Sequence, residues 1–300
     1  MTFMKPKKSL GQNFLIEPTI VQKIIFAANI KGGGETSAFA GGLASGRSLE
    51  TVLEVGPGKG ILTRALLDAG AKVIAVEKDD ALAKNLEIIF AKEISEEKLI
   101  LVHDDILKFF ESQRFDLLDA QGRTSNSGFS VVANIPYNIT GELIRKLLEG
   151  EHQPQAMTLM VQKEVAQRIV ASDSKESLLS LSVKAFGTPE YVATVTRDNF
   201  YPAPNVDSAI LRISDISNDF IKTLQLSDMW KTVWKTSEQA FFGLLHAGFA
   251  HKRKMLVSNL AAIASKNEIM AVFKAFKINE KARAEELSLS DWRCLLSPIS

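Results

Sequence analysis

The tetrapeptide Asn134-Ile135-Pro136-Tyr137 brings together the groups that can make an aromatic amine react. Such an amine is a poor nucleophile because its lone pair is delocalised into the ring, and two acceptors at its hydrogens oppose that delocalisation. The Asn134 side-chain oxygen supplies one acceptor and a backbone carbonyl at Ile135 or Pro136 the other. Pro136 fixes the turn, and Tyr137 offers a face on which a base can stack. A base handled in this way has to leave its helix. The simpler reading is a strand-ending Asn-x-Pro turn with a half-buried tyrosine.

Three further clusters accompany it. Glu54-Val55-Gly56-Pro57-Gly58-Lys59-Gly60 precedes a helical stretch, and its glycines allow a sharp turn and close approach of a ligand to backbone N–H groups. It is not a dinucleotide fingerprint: the third glycine comes one position early and Ile61 holds the sixth place. Glu77 ends the next strand, where a carboxylate accepts from both ribose hydroxyls of a nucleoside; beside phosphates it is awkward, but it suits a cationic sulfonium cofactor. Asp105, after a third strand, is positioned to accept from an exocyclic amine such as that of adenine, or else to cap a helix. His103, His152, His246 and His251 lack metal-ligand spacing, and the single Cys294 excludes a cysteine cluster and an intramolecular disulfide, so no metal is expected.

The elements that must position these groups follow a repeating pattern of short β-branched run, turn and helical stretch. Strands are expected at Thr51–Val55, Lys72–Glu77, Leu99–His103, Ser130–Asn134, Ala156–Gln162, Tyr191–Arg197 and Val206–Ile213, the last two as an antiparallel pair. Helices are expected at Ile61–Ala69, Ala81–Ile94, Gly141–Leu148 and Glu164–Ala171. The result is a mostly parallel α/β sheet covered on both faces. After Ile213 strand patterns stop, and Asp228–Ala264 and Lys266–Phe276 show helical spacing. Two domains are therefore expected: 1–214, with a basic N-terminal arm, and an all-helical 215–300. Lys31–Ser48 and Asp119–Phe129 read as surface loops.

Net charge is only +1 over 300 residues, but it is uneven. The two ends are basic and the middle acidic, a distribution with which a protein can grip a polyanion from its edges. No apolar run approaches a membrane span, and the basic start leads into no signal-peptide core, so a soluble cytoplasmic protein is expected.

With these motifs in place, the chain resembles the small-subunit ribosomal RNA adenine dimethyltransferases over nearly its whole length. The resemblance is carried by Lys8-Ser9-Leu10-Gly11-Gln12-Asn13-Phe14-Leu15, by the Val52–Gly58 loop, by Asn134-Ile135-Pro136-Tyr137-Asn138-Ile139-Thr140, by Gln162-Lys163-Glu164-Val165, by Leu181-Ser182-Val183 and by the run from Asn199 to Ala209. It implies a Rossmann-like class I methyltransferase sheet with a small helical domain. It also implies S-adenosylmethionine held by Asn13, Leu15, Gly56, Gly58, Glu77, Asp105 and Asn134, and a target adenine between Tyr137 and Phe200, with Pro136 setting the turn. The reaction it implies is dimethylation of the N6 amines of two adjacent adenosines near the 3′ end of small-subunit ribosomal RNA. RNA or an immature small subunit is the expected partner, met by Lys7 and Lys8 in the arm and by Lys252, Arg253 and Lys254, and a monomer without membrane attachment is expected. Ile135 stands where the family usually has Leu, a nearly volume-conserving change. Residues 36–47 and 119–129 look like insertions.

Two rivals remain at this level. One is the sister group that modifies large-subunit RNA and confers macrolide resistance. Against it, Gly248-Phe249-Ala250-His251-Lys252-Arg253-Lys254-Met255-Leu256-Val257-Ser258-Asn259-Leu260 resembles the small-subunit branch. The other is a non-catalytic nucleic-acid-binding relative, against which the intact Gly56, Glu77, Asp105 and Asn134 speak.

Overall fold

A computed structural model describes residues 6–7, 10–30, 50–110, 128–150, 152–171 and 173–299. The expected loop at 31–48 and residues 119–127 of the one expected at 119–129 lie outside these residues, as does Lys8; Phe129, expected in that loop, opens a strand instead. In chain order the strands are β1 (Phe14–Leu15), β2 (Thr51–Val55), β3 (Lys72–Glu77), β4 (Leu99–His103), β5 (Phe129–Asn134), β6 (Ala156–Gln162), β7 (Thr188–Val195), β8 (Phe200–Tyr201) and β9 (Ser208–Ser214). Seven of them form one sheet in the order β4-β3-β2-β5-β6-β9-β7. The pairs β2/β3, β3/β4, β2/β5 and β5/β6 are parallel, and β9 runs antiparallel to β6.

This order creates the ligand crevice. From β2 the chain moves outward through β3 and β4, then returns to place β5 on the other side of β2. Ligands bind beyond the carboxyl ends of strands at such a reversal. The registers bring those ends level: Val55 pairs with both Val76 and Ala133, and Glu77 with His103. β2, β3 and β5 are buried along nearly their whole length, as expected for strands covered on both faces.

The residues divide into two compact units, Met1–Ala166 with Glu190–Ser214, and Gln167–Pro189 with Asp215–Ser300. The segment Gln167–Pro189, expected in the first domain, thus belongs to the helical unit. Its helix Leu178–Phe186 is capped reciprocally by Ser177 and Ser180 and buries Leu181, Val183, Ala185 and Phe186. The apolar stripe of this helix is packed among helices, so the chain enters the second unit, leaves through β7 to β9, and returns.

In the helical unit the expected long stretch Asp228–Ala264 breaks into Asp228–Lys231, Ser237–Gly248 and Leu256–Leu260, followed by Lys266–Ala275 and Leu289–Leu296. Trp230, Trp292, Phe241 and Phe273 fill its core, and the Trp230 Nε1–H donates to the Leu295 carbonyl at 2.6 Å. Among the described residues no helix is long and apolar enough to cross a membrane.

Helix Pro18–Ala28 and the strand pair β1/β8 are not among the expected elements. Helix Pro18–Ala28 begins at the Glu17 cap and buries Ile20, Val21, Ile24, Ala27 and Ala28 in the sheet's core cluster. The pair β1/β8 joins the arm to the segment between β7 and β9, with Phe14 opposite Tyr201 and Leu15 opposite Phe200.

Candidate active site

The strand ends and the arm enclose a cavity of about 210 Å³, lined among others by Asn13, Leu15, Glu54, Gly56, Gly58, Glu77, Asp105, Asn134, Pro136 and Tyr137. Every sequence-predicted cofactor residue is brought here. Gly56 and Gly58 have φ of +64° and +59°, a region that side chains with a Cβ rarely adopt. A Cβ on Gly56 would meet no atom within 4 Å, so its face is open to a ligand; a Cβ on Gly58 would come within 3.0 Å of the Phe14 ring.

Glu77 is buried, with Oε2 accepting from the Gly58 amide at 3.0 Å and Oε1 from the Asp79 amide at 2.8 Å. These bonds lock the glycine loop to the end of β3. Burial pushes its carboxyl above the ordinary range, and the backbone bonds oppose that shift only in part.

Glu54 belongs to the glycine motif, but the motif alone gives it no role. It is 1% exposed, and among the described residues neither carboxylate oxygen has a hydrogen-bond partner. Burial pushes its carboxyl up to about 8; the neighbouring Glu77 charge adds to the shift, and the nearby Thr63 opposes it only in part. A charge-bearing residue inside the otherwise apolar β2 is the sequence signal that marks it. An orphaned buried acid beside a second buried carboxylate fits a cationic ligand, and so do the open face of Gly56 and the ribose-accepting position of Glu77.

Asp105 takes the capping role that its position allows. Oδ1 caps its helix by accepting from the Leu107 amide at 3.0 Å, and Oδ2 pairs with Lys78 Nζ at 2.7 Å. Burial opposes ionisation, but Lys78, the Leu107 amide and Lys108 outweigh it and hold the carboxyl below its usual range.

Asn134 ends β5 and donates from Nδ2 to the Asn13 carbonyl at 3.0 Å. Because a carbonyl can only accept, this bond fixes the amide's orientation and leaves Oδ1 as an acceptor. The Pro136 carbonyl already accepts from the Ile139 amide at 3.2 Å and the Thr140 hydroxyl at 3.5 Å. Of the two backbone acceptors considered, the Ile135 carbonyl is the one that accepts no hydrogen bond among the described residues. Tyr137 is held by its hydroxyl against Ser208 Oγ at 2.6 Å, and burial raises its pKa.

Phe200 is not brought into the cavity wall. It is 3% exposed and packs in the sheet's core cluster with Leu15, Met160, Val195 and Ile210. Lys7 is engaged as well: its Nζ pairs with Asp79 Oδ2 at 2.9 Å, and Gln12 Nε2 donates to the same oxygen at 3.1 Å. These contacts fasten the arm beside Glu77. Lys252, Arg253 and Lys254 are exposed in the helical unit, without a carboxylate partner among the described residues. Their turn is held by buried Asn259, whose Nδ2 donates to the carbonyls of Gly248 and, at 3.2 Å, His251. Among the described residues no group of three or more His, Cys, Asp or Glu comes together to hold a metal.

Residues 3–297 match the family described as ribosomal RNA adenine dimethylase. The chain belongs to this family. It is 35% identical over 294 residues to a protein of Dehalococcoides mccartyi named ribosomal RNA small subunit methyltransferase A, covering 97% of this chain and 88% of that one. A protein of the same name from Fusobacterium nucleatum is 36% identical, with 95% and 94% covered. Among solved structures, a dimethyladenosine transferase from Plasmodium falciparum superposes with a TM-score of 0.69 at 26% identity, covering 94% of this chain and 96% of that one. A 23S rRNA methyltransferase superposes at 0.66 with 22% identity, which shows the shared fold. This dimethylase is accordingly a Rossmann-like methyltransferase that uses S-adenosylmethionine.

Proposed function

We propose that this dimethylase transfers two methyl groups to the N6 amine of each of two adjacent adenosines near the 3′ end of small-subunit ribosomal RNA, acting in the cytoplasm on the RNA or an immature small subunit. The observation that carries the reading is the Asn134 amide, whose Nδ2 is committed to the Asn13 carbonyl so that Oδ1 is left for the amine. The small-subunit branch is favoured over the large-subunit one by relatives at 35–36% identity that carry the small-subunit name.

Asn13, Leu15, Gly56, Gly58, Glu77 and Asp105 would hold S-adenosylmethionine, which supplies an electrophilic methyl group. Glu77 accepts from the ribose hydroxyls, and Asp105 accepts from the adenine amine with lone pairs left over from its cap and ion pair. Glu54 keeps its proton below about pH 8 and becomes the buried negative charge that a cationic ligand needs once that ligand's own charge lowers its pKa. Asn134 Oδ1 and the Ile135 carbonyl accept from the two hydrogens of the target amine and hold its lone pair out of conjugation. Tyr137 stacks on the base, its ring fixed by Ser208. The chain's main contribution is positioning for an in-line displacement. No strong base is required, because an alkylated amine becomes acidic enough to lose its proton to water.

The test is direct. Purified protein is incubated with labelled methyl donor and separated ribosomal subunits lacking the modification, and the label is mapped. N6,N6-dimethyladenosine at two adjacent positions of small-subunit RNA is expected; label confined to large-subunit RNA would overturn the substrate assignment.

A further inference from the structure

The residue beside Phe200 is placed in the opposite environment. Tyr201 is 56% exposed against 3% for Phe200, the two alternating along β8. Its hydroxyl has no hydrogen-bond partner among the described residues, so no polar contact explains the ring's position. What does hold it is Lys59, from the glycine loop. The Lys59 ammonium lies 5.8 Å from the Tyr201 ring centroid and 5.0 Å from that of Phe14, which β1/β8 pairing sets directly opposite Tyr201. Phe14 and Lys59 both line the cavity. A cation–π contact thus links the cavity wall to an exposed aromatic face just outside it. Lys59 is itself exposed and has no carboxylate partner among the described residues, so its charge is not neutralised by the protein.

An exposed π-face beside an unpaired cation is the chemistry that receives a nucleotide, the ring taking the base and the ammonium the phosphate. We infer that Tyr201 and Lys59 form a stacking platform for the unpaired nucleotide adjoining the target adenosine. The platform rests on the RNA-modifying function proposed above and names positioning residues for it. One base enters the cavity and loses its stacking neighbours, and Tyr201 replaces a neighbour for the base next to it. For two adjacent targets, the waiting adenosine is the base so held.

RNA affinity, kcat, KM for RNA and cofactor affinity are compared for the wild type, Tyr201→Ala, Tyr201→Phe and Lys59→Met. Tyr201→Ala should weaken RNA binding about 5- to 150-fold, the range for removal of one base–aromatic stack. Its cofactor affinity should stay within about two-fold, which also reports that the fold is intact. Tyr201→Phe keeps the face and should bind RNA within about two-fold of wild type. Lys59→Met should lower the slope of log affinity against log salt by about 0.7, the value for one single-strand phosphate. Undiminished RNA affinity in Tyr201→Ala, or equal damage in Tyr201→Phe, would overturn the platform. A wild-type protein that methylates neither ribosomal RNA would overturn the function instead, and the two failures are therefore separable.

Discussion

The cavity floor and the basic turn of the helical unit carry charge in opposite ways. At the floor, Glu54 and Glu77 are buried, one with no hydrogen-bond partner among the described residues and the other bonded to two backbone amides. In the turn, Lys252, Arg253 and Lys254 are exposed to water, while the residue that shapes the turn, Asn259, is the buried one. Burial makes a charge strong, little screened and costly, which suits a small ligand that must be held at one atom. Exposure makes each charge cheap and weak, and a cluster of such charges suits a polyanion. The two regions should therefore respond to substitution in different observables.

The largest effect is expected at the floor. Asn134→Ala removes the acceptor that the Asn13 carbonyl orients, and it should lower turnover by two or more orders of magnitude while cofactor binding stays within a few-fold. Near-normal turnover in single-turnover assays would remove Asn134 from its role. Glu77→Ala comes next and acts on binding: loss of charge-assisted bonds to the ribose should cost about 1.5–3 kcal/mol of cofactor affinity. Glu77 also accepts from the Gly58 and Asp79 amides, so a thermal melt of the variant separates weakened affinity from a loosened loop. Unchanged affinity would make Glu77 a bystander.

The same contrast explains what was legible in the sequence. The parallel strands from Thr51 to Gln162 are readable to within a residue of their ends, because strands covered on both faces are near-continuous apolar runs and strand-end motifs mark where they stop. The residues at those ends, Gly56, Glu77, Asp105 and Asn134, converge on one cavity for the same reason. Long-range arrangements are not legible. The two-residue β1 and β8 are too short for a period, and only their pairing across most of the chain gives them meaning. Helix Leu178–Phe186 has an ordinary apolar stripe, and nothing local says that its partners lie beyond Asp215. Helix Pro18–Ala28 is readable in principle, with proline at its first position and apolar residues at Ile20, Ile24 and Ala27. Lys7, a free cation by sequence, is held by Asp79, since a charge tally cannot see ion pairs.

Glu54 gives the contrast a pH signature. Its carboxyl is ordinary at 4.5 in an unfolded chain and about 8 when folded. Between these values the folded protein keeps a proton that the unfolded chain gives up. Stability should therefore fall as pH rises through this window, by up to about 1.4 kcal/mol per pH unit from this group, and level off above it. Glu54→Gln should flatten the dependence of the denaturation midpoint between about pH 5 and 8. The difference between the two proteins isolates Glu54 from Glu77, whose shift has the same sign, and from Asp79 and Asp105, whose shifts are opposite. Identical slopes would mean that Glu54 titrates as an ordinary surface acid.

The basic turn should show the mildest response, and in salt dependence. Replacing Lys252, Arg253 and Lys254 together by Gln removes three charges without touching Asn259, so the turn keeps its shape. Each phosphate that is no longer neutralised should reduce the slope of log affinity against log salt by about 0.7–0.9, because fewer condensed counterions are released on binding. Across a doubling of salt that is less than about a two-fold change in affinity per phosphate, far below the effect of Asn134→Ala on turnover. Cofactor affinity should not move, since these side chains belong to the helical unit and the cavity is lined by the other. A titration at several salt concentrations decides the matter. An unchanged slope would show that these three cations touch no phosphate and would place the RNA footprint elsewhere, with Lys59, which has no carboxylate partner among the described residues, as the next candidate.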